Sequence, residues 1–143
     1  MSDFSKFMKQ NKKQRDNTTF AVTKSLTDDN GNSLKWTIRP LTSCEIDKMR
    51  DDCTTEVPIS AKKGLYRTKT DASKLLCKLM CASVVLPDLH NKALQDSYGV
   101  VNAEDLLHAM VDDPGEYNAF GQFVQEFNHL DKALDDIVEE AKK

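Results

Sequence analysis

Residues 71–87 read Asp71-Ala72-Ser73-Lys74-Leu75-Leu76-Cys77-Lys78-Leu79-Met80-Cys81-Ala82-Ser83-Val84-Val85-Leu86-Pro87. Ala72, Leu75, Leu76, Leu79, Met80, Ala82, Val84, Val85 and Leu86 cover more than one face of a helix. A helix over 71–86 therefore has to be enclosed by its neighbours rather than laid on one of them. Pro87 ends it, since proline has no N–H to continue the ladder. This is the expected central core helix, and the flanking segments are read by what they bring to it.

On the C-terminal side the chain reads as helical throughout. Asp88-Leu89 leads into a polar segment, Asn91 to Ser97, that forms a short helix ending near Gly99. Asn102 with Asp105 starts a helix containing Leu106, Leu107 and Met110. Asp113-Pro114-Gly115-Glu116 then sets a cap residue, a first-turn proline and an acidic third position in order. The helix that follows carries Tyr117, Phe120, Phe123, Val124 and Phe127 at helical spacing. Asp131 can cap a last helix with Leu134, Ile137, Val138 and Ala141 inward, and Lys142 and Lys143 suit its C-terminal dipole.

On the N-terminal side the period changes. Phe4, Phe7 and Met8 make one amphipathic turn, followed by a basic arm, Lys9, Lys12, Lys13 and Arg15, that runs to Asn17. From Thr18 to Leu26 the residues alternate, with Phe20, Val22 and Leu26 on one face. After Asp28-Asp29-Asn30-Gly31-Asn32 the alternation resumes with Leu34, Trp36 and Ile38. The pair is expected to form a β-hairpin, because Asn-Gly supplies the positive φ that tight turns require. Thr42 and Glu45 have capping-box spacing and Leu41 with Ile46 that of a hydrophobic staple, so a helix starts at Thr42 with Ile46, Met49 and Cys53 inward. Residues 54–70 read as a loop or a second small hairpin, with Leu65-Tyr66-Arg67 extended. The expected fold is α+β: an N-terminal β-hairpin or small antiparallel sheet packed on a mostly helical C-terminal half. Its parts are residues 1–17, 18–70 and 71–143 of a single domain.

Composition bounds the function. The chain has 143 residues, 39% hydrophobic and 30% charged, with only 5 Gly and 4 Pro, which fits a soluble globule of one domain. The longest apolar run, Ala82 to Leu86 broken only by Ser83, is far short of the roughly 20 residues of a membrane helix. The N-terminus lacks the apolar stretch of a secretory signal, so the cytoplasm is the expected location. Residues 1–70 carry 14 Lys and Arg against 9 Asp and Glu, whereas residues 71–143 carry 6 against 14. That asymmetry permits head-to-tail self-association or a basic partner for the acidic half. A nucleic-acid surface is a weaker reading, because the basic residues are spread through strands and loops with few aromatics between them.

Catalytic and metal chemistry find little to build on. Cys77 and Cys81 stand at i and i+4, but structural zinc needs two further ligands and no pair has finger-like spacing. Both are read as buried small hydrophobes, and Cys44 and Cys53 as belonging to another helix. The apolar setting of Cys77 is expected to raise its pKa. His90, His108 and His129 lie in separate segments outside any hydrolase or zinc-protease motif. The glycines at 31, 64, 99, 115 and 121 form no phosphate loop, and the acidic pairs read as turns, caps and solvated faces. Neither an enzyme nor a cofactor is implied.

A binding protein remains. The run Val84-Val85-Leu86-Pro87-Asp88-Leu89, then Leu94-Gln95-Asp96-Ser97-Tyr98-Gly99-Val100, Leu106-Leu107 with Met110, and Pro114-Gly115-Glu116-Tyr117 resembles the XkdN-like tail assembly chaperones of tailed bacteriophages and of defective prophages in Gram-positive bacteria. The likeness takes in Phe4, Phe7 and Trp36-Thr37-Ile38-Arg39, and so spans nearly the whole chain. These are packing and turn residues, not a catalytic signature.

The resemblance implies a small α+β protein that binds the tape-measure protein before the tail tube polymerises round it, and that is absent from the finished virion. The tail tube protein is a second candidate partner. An acidic C-terminal half would keep such a complex soluble. Families of this kind often make a longer product by programmed frameshifting, and Ala141-Lys142-Lys143 is a place where adenine-rich codons would allow it. The expected partner-binding residues are Phe120, Phe123, Phe127, Leu134 and Ile137 of the last two helices, with Phe4 and Phe7 of the N-terminus. The alternatives are a structural tail or baseplate component, and a nucleic-acid-binding regulator acting through Lys9 to Arg15.

Overall fold

The computed structural model describes residues 3–59 and 64–130. Two 3-10 turns, Asp3–Phe7 and Lys9–Asn11, precede the first strands, β1 (Thr18–Phe20) and β2 (Trp36–Ile38). Helix α1 (Ser43–Asp52) leads into a second antiparallel pair, β3 (Thr54–Pro58) and β4 (Tyr66–Thr70). Then come α2 (Ala72–Ser83), β5 (Val84–Leu86), α3 (Lys92–Ser97), α4 (Ala103–Met110) and α5 (Pro114–Phe127). This is the expected α+β class. The last expected helix, from Asp131, lies outside the described residues.

The local signals act where they were read. Thr42 and Glu45 close a reciprocal capping box at the start of α1. Asp71, Asn91, Asn102 and Asp113 each accept a hydrogen bond from the backbone N–H three residues on, which satisfies an otherwise orphaned donor at the start of α2, α3, α4 and α5. The small second hairpin expected over this stretch is present as the pairing of Thr54–Pro58 with Tyr66–Thr70, with five paired positions from Thr54↔Thr70 to Pro58↔Tyr66.

Two readings of the sequence change. The core helix stops at Ser83, not Leu86, and Val84–Leu86 instead adds a third strand in the order β1-β2-β5. The β-branched pair Val84-Val85 favours extended backbone. The free edge of β2 offers it partners, and the Arg39 N–H donates to the Ser83 carbonyl at 2.8 Å where helix becomes strand. The N-terminal hairpin is also less regular than its alternation suggests. The ladder covers Thr18↔Ile38, Thr19↔Thr37 and Phe20↔Trp36, and the chain then rises as an arm to a turn at Asp28–Asn32, beside which pairing returns as a single bridge, Thr27↔Ser33. There the Asp28 carboxylate accepts from the Asn30 and Asn32 N–H groups, and Gly31 takes φ +82°. Trp36 and Ile38 are buried as expected, but Leu34 stays 42% exposed. Thr23, which alternation sets on the face opposite Val22, is buried as well, and its hydroxyl donates to Glu116 of α5 at 2.8 Å.

The core lies around α2. Leu75, Leu79 and Met80 are fully buried, and α1, α4 and α5 all pack on this helix. Gly121 permits the α5 approach: a Cβ there would sit 3.2 Å from Leu76 Cδ2 and 3.5 Å from Met80 Sδ. Asn128 closes the far end of α5. Its side-chain oxygen accepts from the Leu41 N–H at 2.8 Å and its amide donates to the Val124 carbonyl, so a buried polar residue pins the β2–α1 corner.

Arg39 and Glu45 join that corner in a two-pronged ion pair, with Nη2 and Oε2 2.6 Å apart. The guanidinium hydrogen bonds hold the Glu45 carboxyl down at about 2, helped by the Thr42 N–H and hydroxyl, against a smaller opposing effect of burial. Because the folded value lies below the ordinary 4.5, the contribution is whole above pH 4.5 and fades as the pH falls towards 2. Both side chains are about one-third exposed, so solvent screens the pair. Glu45→Ala is expected to cost about 1 to 2 kcal/mol at pH 7, capping box included. Urea unfolding at a series of pH values should show the gap to the parent protein narrowing below 4.5, and a gap independent of pH would mean that neither Arg39 nor Thr42 stabilises the charged carboxylate.

Candidate partner-binding surface

An apolar groove of about 380 Å³ opens where the hairpin arm, β5 and α3 meet. Trp36 contributes to its wall from β2, Leu26 and Leu34 from the arm, Leu86 from β5, and Leu94 from α3, with Tyr98 just beyond. Its apolar rim is unusually open for such residues: Leu86 is 59% exposed and the adjacent Val85 is also exposed. β5 is the edge strand on this side of the sheet, so an apolar groove and unpaired strand backbone lie together.

The N-terminal turns provide a second apolar feature. Neither contributes a buried residue, and the Asn11 amide ties them together by donating to the Ser5 carbonyl at 2.6 Å. Phe4 and Phe7 are 77% and 87% exposed. The arm is fastened to the body further along, where the Arg15 guanidinium donates to the Leu41 carbonyl.

The aromatic residues expected to meet a partner divide by burial. Phe120 is 0% exposed, edge-on to Trp36 with ring centroids 6.0 Å apart and stacked on Phe20 at the same distance, so it fills the core and has no surface to offer. Phe123 and Phe127 are half-buried: Phe20 stacks on Phe123 at 4.3 Å and Phe123 on Phe127 at 5.9 Å. Leu134 and Ile137 lie outside the described residues. The sequence reading missed the groove. Alternation sets Leu34 only on one face with Trp36 and Ile38, and the helical pattern takes Leu86 into the core helix, which leaves no reason to group them with Leu94 and Tyr98.

A separate, more polar cavity of about 440 Å³ lies between α2 and α4, lined by Cys77, Lys74, Lys78, Asn102 and His108 among others. Cys77 is buried as expected, but its thiol is not raised. A hydrogen bond from Cys81, one from Tyr117 and the charge and hydrogen bond of His108 outweigh burial and bring it to about 6. His108 and Tyr117 approach from helices far along the chain, which is why the apolar neighbours of Cys77 in sequence gave the wrong sign. Among the described residues no group of three or more His, Cys, Asp or Glu side chains is arranged to hold a metal ion, and no helix is long and apolar enough to cross a membrane.

A small α+β fold carrying open apolar surface is a frame for binding. The chain belongs to the phage XkdN-like tail assembly chaperone family, whose sequence profile matches residues 4–142. It is similar to the phage-like element PBSX protein XkdN of Bacillus subtilis (strain 168), with 26% identity over 141 residues that cover 98% of this chain and 93% of that protein. The uncharacterized protein YqbN of the same strain is 24% identical over the same coverage. The crystal structure of the protein YqbN superimposes with a TM-score of 0.73 at 18% identity, covering 92% of this chain and 99% of that one, and so shares the fold.

Burial predicts that the phenylalanines behave differently. Phe120→Ala should cost about 3 to 5 kcal/mol of stability by opening a core cavity. Phe4→Ala and Phe7→Ala should leave the thermal midpoint unchanged. Thermal unfolding of the three variants checks this, and a large loss at Phe4 or Phe7 would place the N-terminal turn against the body.

Proposed function

We propose that this chain is a non-catalytic tail assembly chaperone that binds the tape-measure protein and holds it in solution in the bacterial cytoplasm until the tail tube polymerises, and that it is left out of the finished virion. The observation that carries the reading is the open apolar groove beside the β5 edge, on a chain of this family. A tape measure is a long helical chain whose bare apolar faces would aggregate. A soluble protein that lends such faces an apolar groove removes that surface from water at roughly 25 cal/mol per Å2 covered.

Phe4 and Phe7 fit the same role. An exposed apolar turn on a tethered arm can close over a bound helix, and the basic residues Lys9, Lys12 and Lys13 keep that arm in water when it is free. Phe123 and Phe127 keep enough surface to extend the contact, whereas Phe120 supports it only from within. The whole chain is taken to act as one unit, and the tail tube protein and a second copy of the chain are further partners to test.

Co-expression with the tape-measure protein encoded nearby should keep the latter soluble, and the two should co-purify. Leu34→Ser with Leu86→Ser, or Phe4→Ser with Phe7→Ser, should weaken co-purification by about tenfold while leaving the fold intact, because these side chains already face water. A well-folded protein that neither rescues nor binds the tape measure, and that mass spectrometry finds in purified particles, would instead be a structural tail component.

A further inference from the structure

Both ends of the chain are tied to one buried residue. The Leu41 N–H donates to the Asn128 side-chain oxygen at 2.8 Å, and the Leu41 carbonyl accepts from the Arg15 guanidinium. The basic arm and the end of α5 therefore meet at the β2–α1 corner. Just beyond Asn128, His129 takes φ +58° and the Leu130 N–H donates back to the Gln125 carbonyl at 2.8 Å, which ends α5 and turns the chain off its axis. The C-terminal segment, residues 131–143, thus sets out from beside the root of the N-terminal arm.

The two ends are opposite in charge. Residues 1–17 carry Lys6, Lys9, Lys12, Lys13 and Arg15 against Asp3 and Asp16, whereas residues 131–141 carry Asp131, Asp135, Asp136, Glu139 and Glu140 against Lys132. Lys9, Lys12 and Lys13 meet no carboxylate among the described residues. Each end also carries an apolar set. Phe4, Phe7 and Met8 are exposed, and neither N-terminal turn contributes a buried residue. Leu134, Ile137, Val138 and Ala141 recur at the spacing of one helix face, with Asp135, Asp136, Glu139 and Glu140 outside that stripe. Thirteen residues span about 20 Å as a helix. Phe7 is eight residues from Arg15, part of them wound into a 3-10 turn, so the two apolar sets are within reach of each other.

We propose that residues 131–143 fold back as an acidic amphipathic helix onto the N-terminal turns of the same chain, Leu134, Ile137 and Val138 covering Phe4, Phe7 and Met8. The apolar contact supplies the adhesion, because it takes phenylalanine rings out of water. The lysine–carboxylate pairs stay in solvent, so they add little strength and serve to select and orient the segment. The contact needs no partner. In the chaperone it is a cover that a bound helix has to displace from Phe4 and Phe7, a consequence that rests on the function proposed above, whereas the contact does not.

In the free full-length chain, NOEs should join the Phe4 and Phe7 rings to the methyl groups of Leu134, Ile137 and Val138. A mixture of isotope-labelled and unlabelled chains separates contacts within a chain from those between chains. NOEs only between chains would put a second copy on the arm, and NOEs to Leu34 and Leu86 would put the segment in the apolar groove; either overturns the proposal. Leu134→Ser with Ile137→Ser should speed tryptic cleavage after Lys9, Lys12 or Lys13 by about fivefold, since cleavage follows the fraction of chains with the arm uncovered. Cleavage after Lys78, inside α2, should stay slow in both proteins and checks that the body is folded. Absence of NOEs between the ends, with arm cleavage unchanged, would overturn the contact. On co-expression, the same double variant should raise the co-purified tape measure by about twofold. No gain, or a fall, would overturn the displacement and return Leu134 and Ile137 to the partner surface. A parent chain that captures no tape measure would fail the proposed function, while the NOEs of the free chain still decide the contact.

Discussion

Helix α2 buries Leu75, Cys77, Leu79, Met80, Cys81 and Ser83, half of its length, and no single neighbour can cover so wide a face. Water must be excluded from several sides at once, and the remaining elements are arranged by that demand. α1, α4 and α5 pack on α2, and the chain leaving its end is drawn directly into the sheet as β5. Each fully buried leucine contributes about 1.5 to 3 kcal/mol, so α2 supplies much of the driving force that orders parts of the chain with little core of their own.

The price of this arrangement is a sheet too small to cover both its ends. β1, β2 and β5 have three residues each, and the hairpin arm that rises beyond them lines one side of an opening that Leu94 of α3 lines as well. The gap is the apolar groove. Glu116 holds the arm at its base, with its carboxylate accepting from the Thr23 hydroxyl and the Lys24 N–H, while the hydrogen bonds of the Asp28–Asn32 tip among the described residues stay within the turn. Binding surface and structural anchor are thus separated along one segment of about fifteen residues between β1 and β2.

The polar contacts that fix the body come from far apart in the chain. Asn128 reaches back to Leu41 and Glu116 to Thr23. Both are ordinary surface residue types: the start signal marks Glu116 only as an acidic residue in the first turn of α5, and nothing beside either residue in sequence points to Thr23 or Leu41. The same holds for Cys77, whose partner His108 stands on α4 and is itself stacked on Tyr117 of α5. A periodicity argument sees only residues on the same element, so it reads the thiol as one more apolar position.

What the sequence determined by itself is local. The caps at Thr42, Asp71, Asn91, Asn102 and Asp113 are made within three residues of backbone, and the turn at Asp28–Asn32 within five, so the side chain that closes each hydrogen bond is written next to its donor. The α+β class and the enclosed position of α2 follow from the same short-range periods. Tertiary structure alone decided that Val84–Leu86 leaves the helix for the edge of β2, that Phe120 is sealed by Trp36 and Phe20 while Phe123 and Phe127 keep some surface, and that Leu34 and Leu86 face a groove. Each of these depends on which distant element covers a face, and exposure is a property of the neighbours and not of the residue.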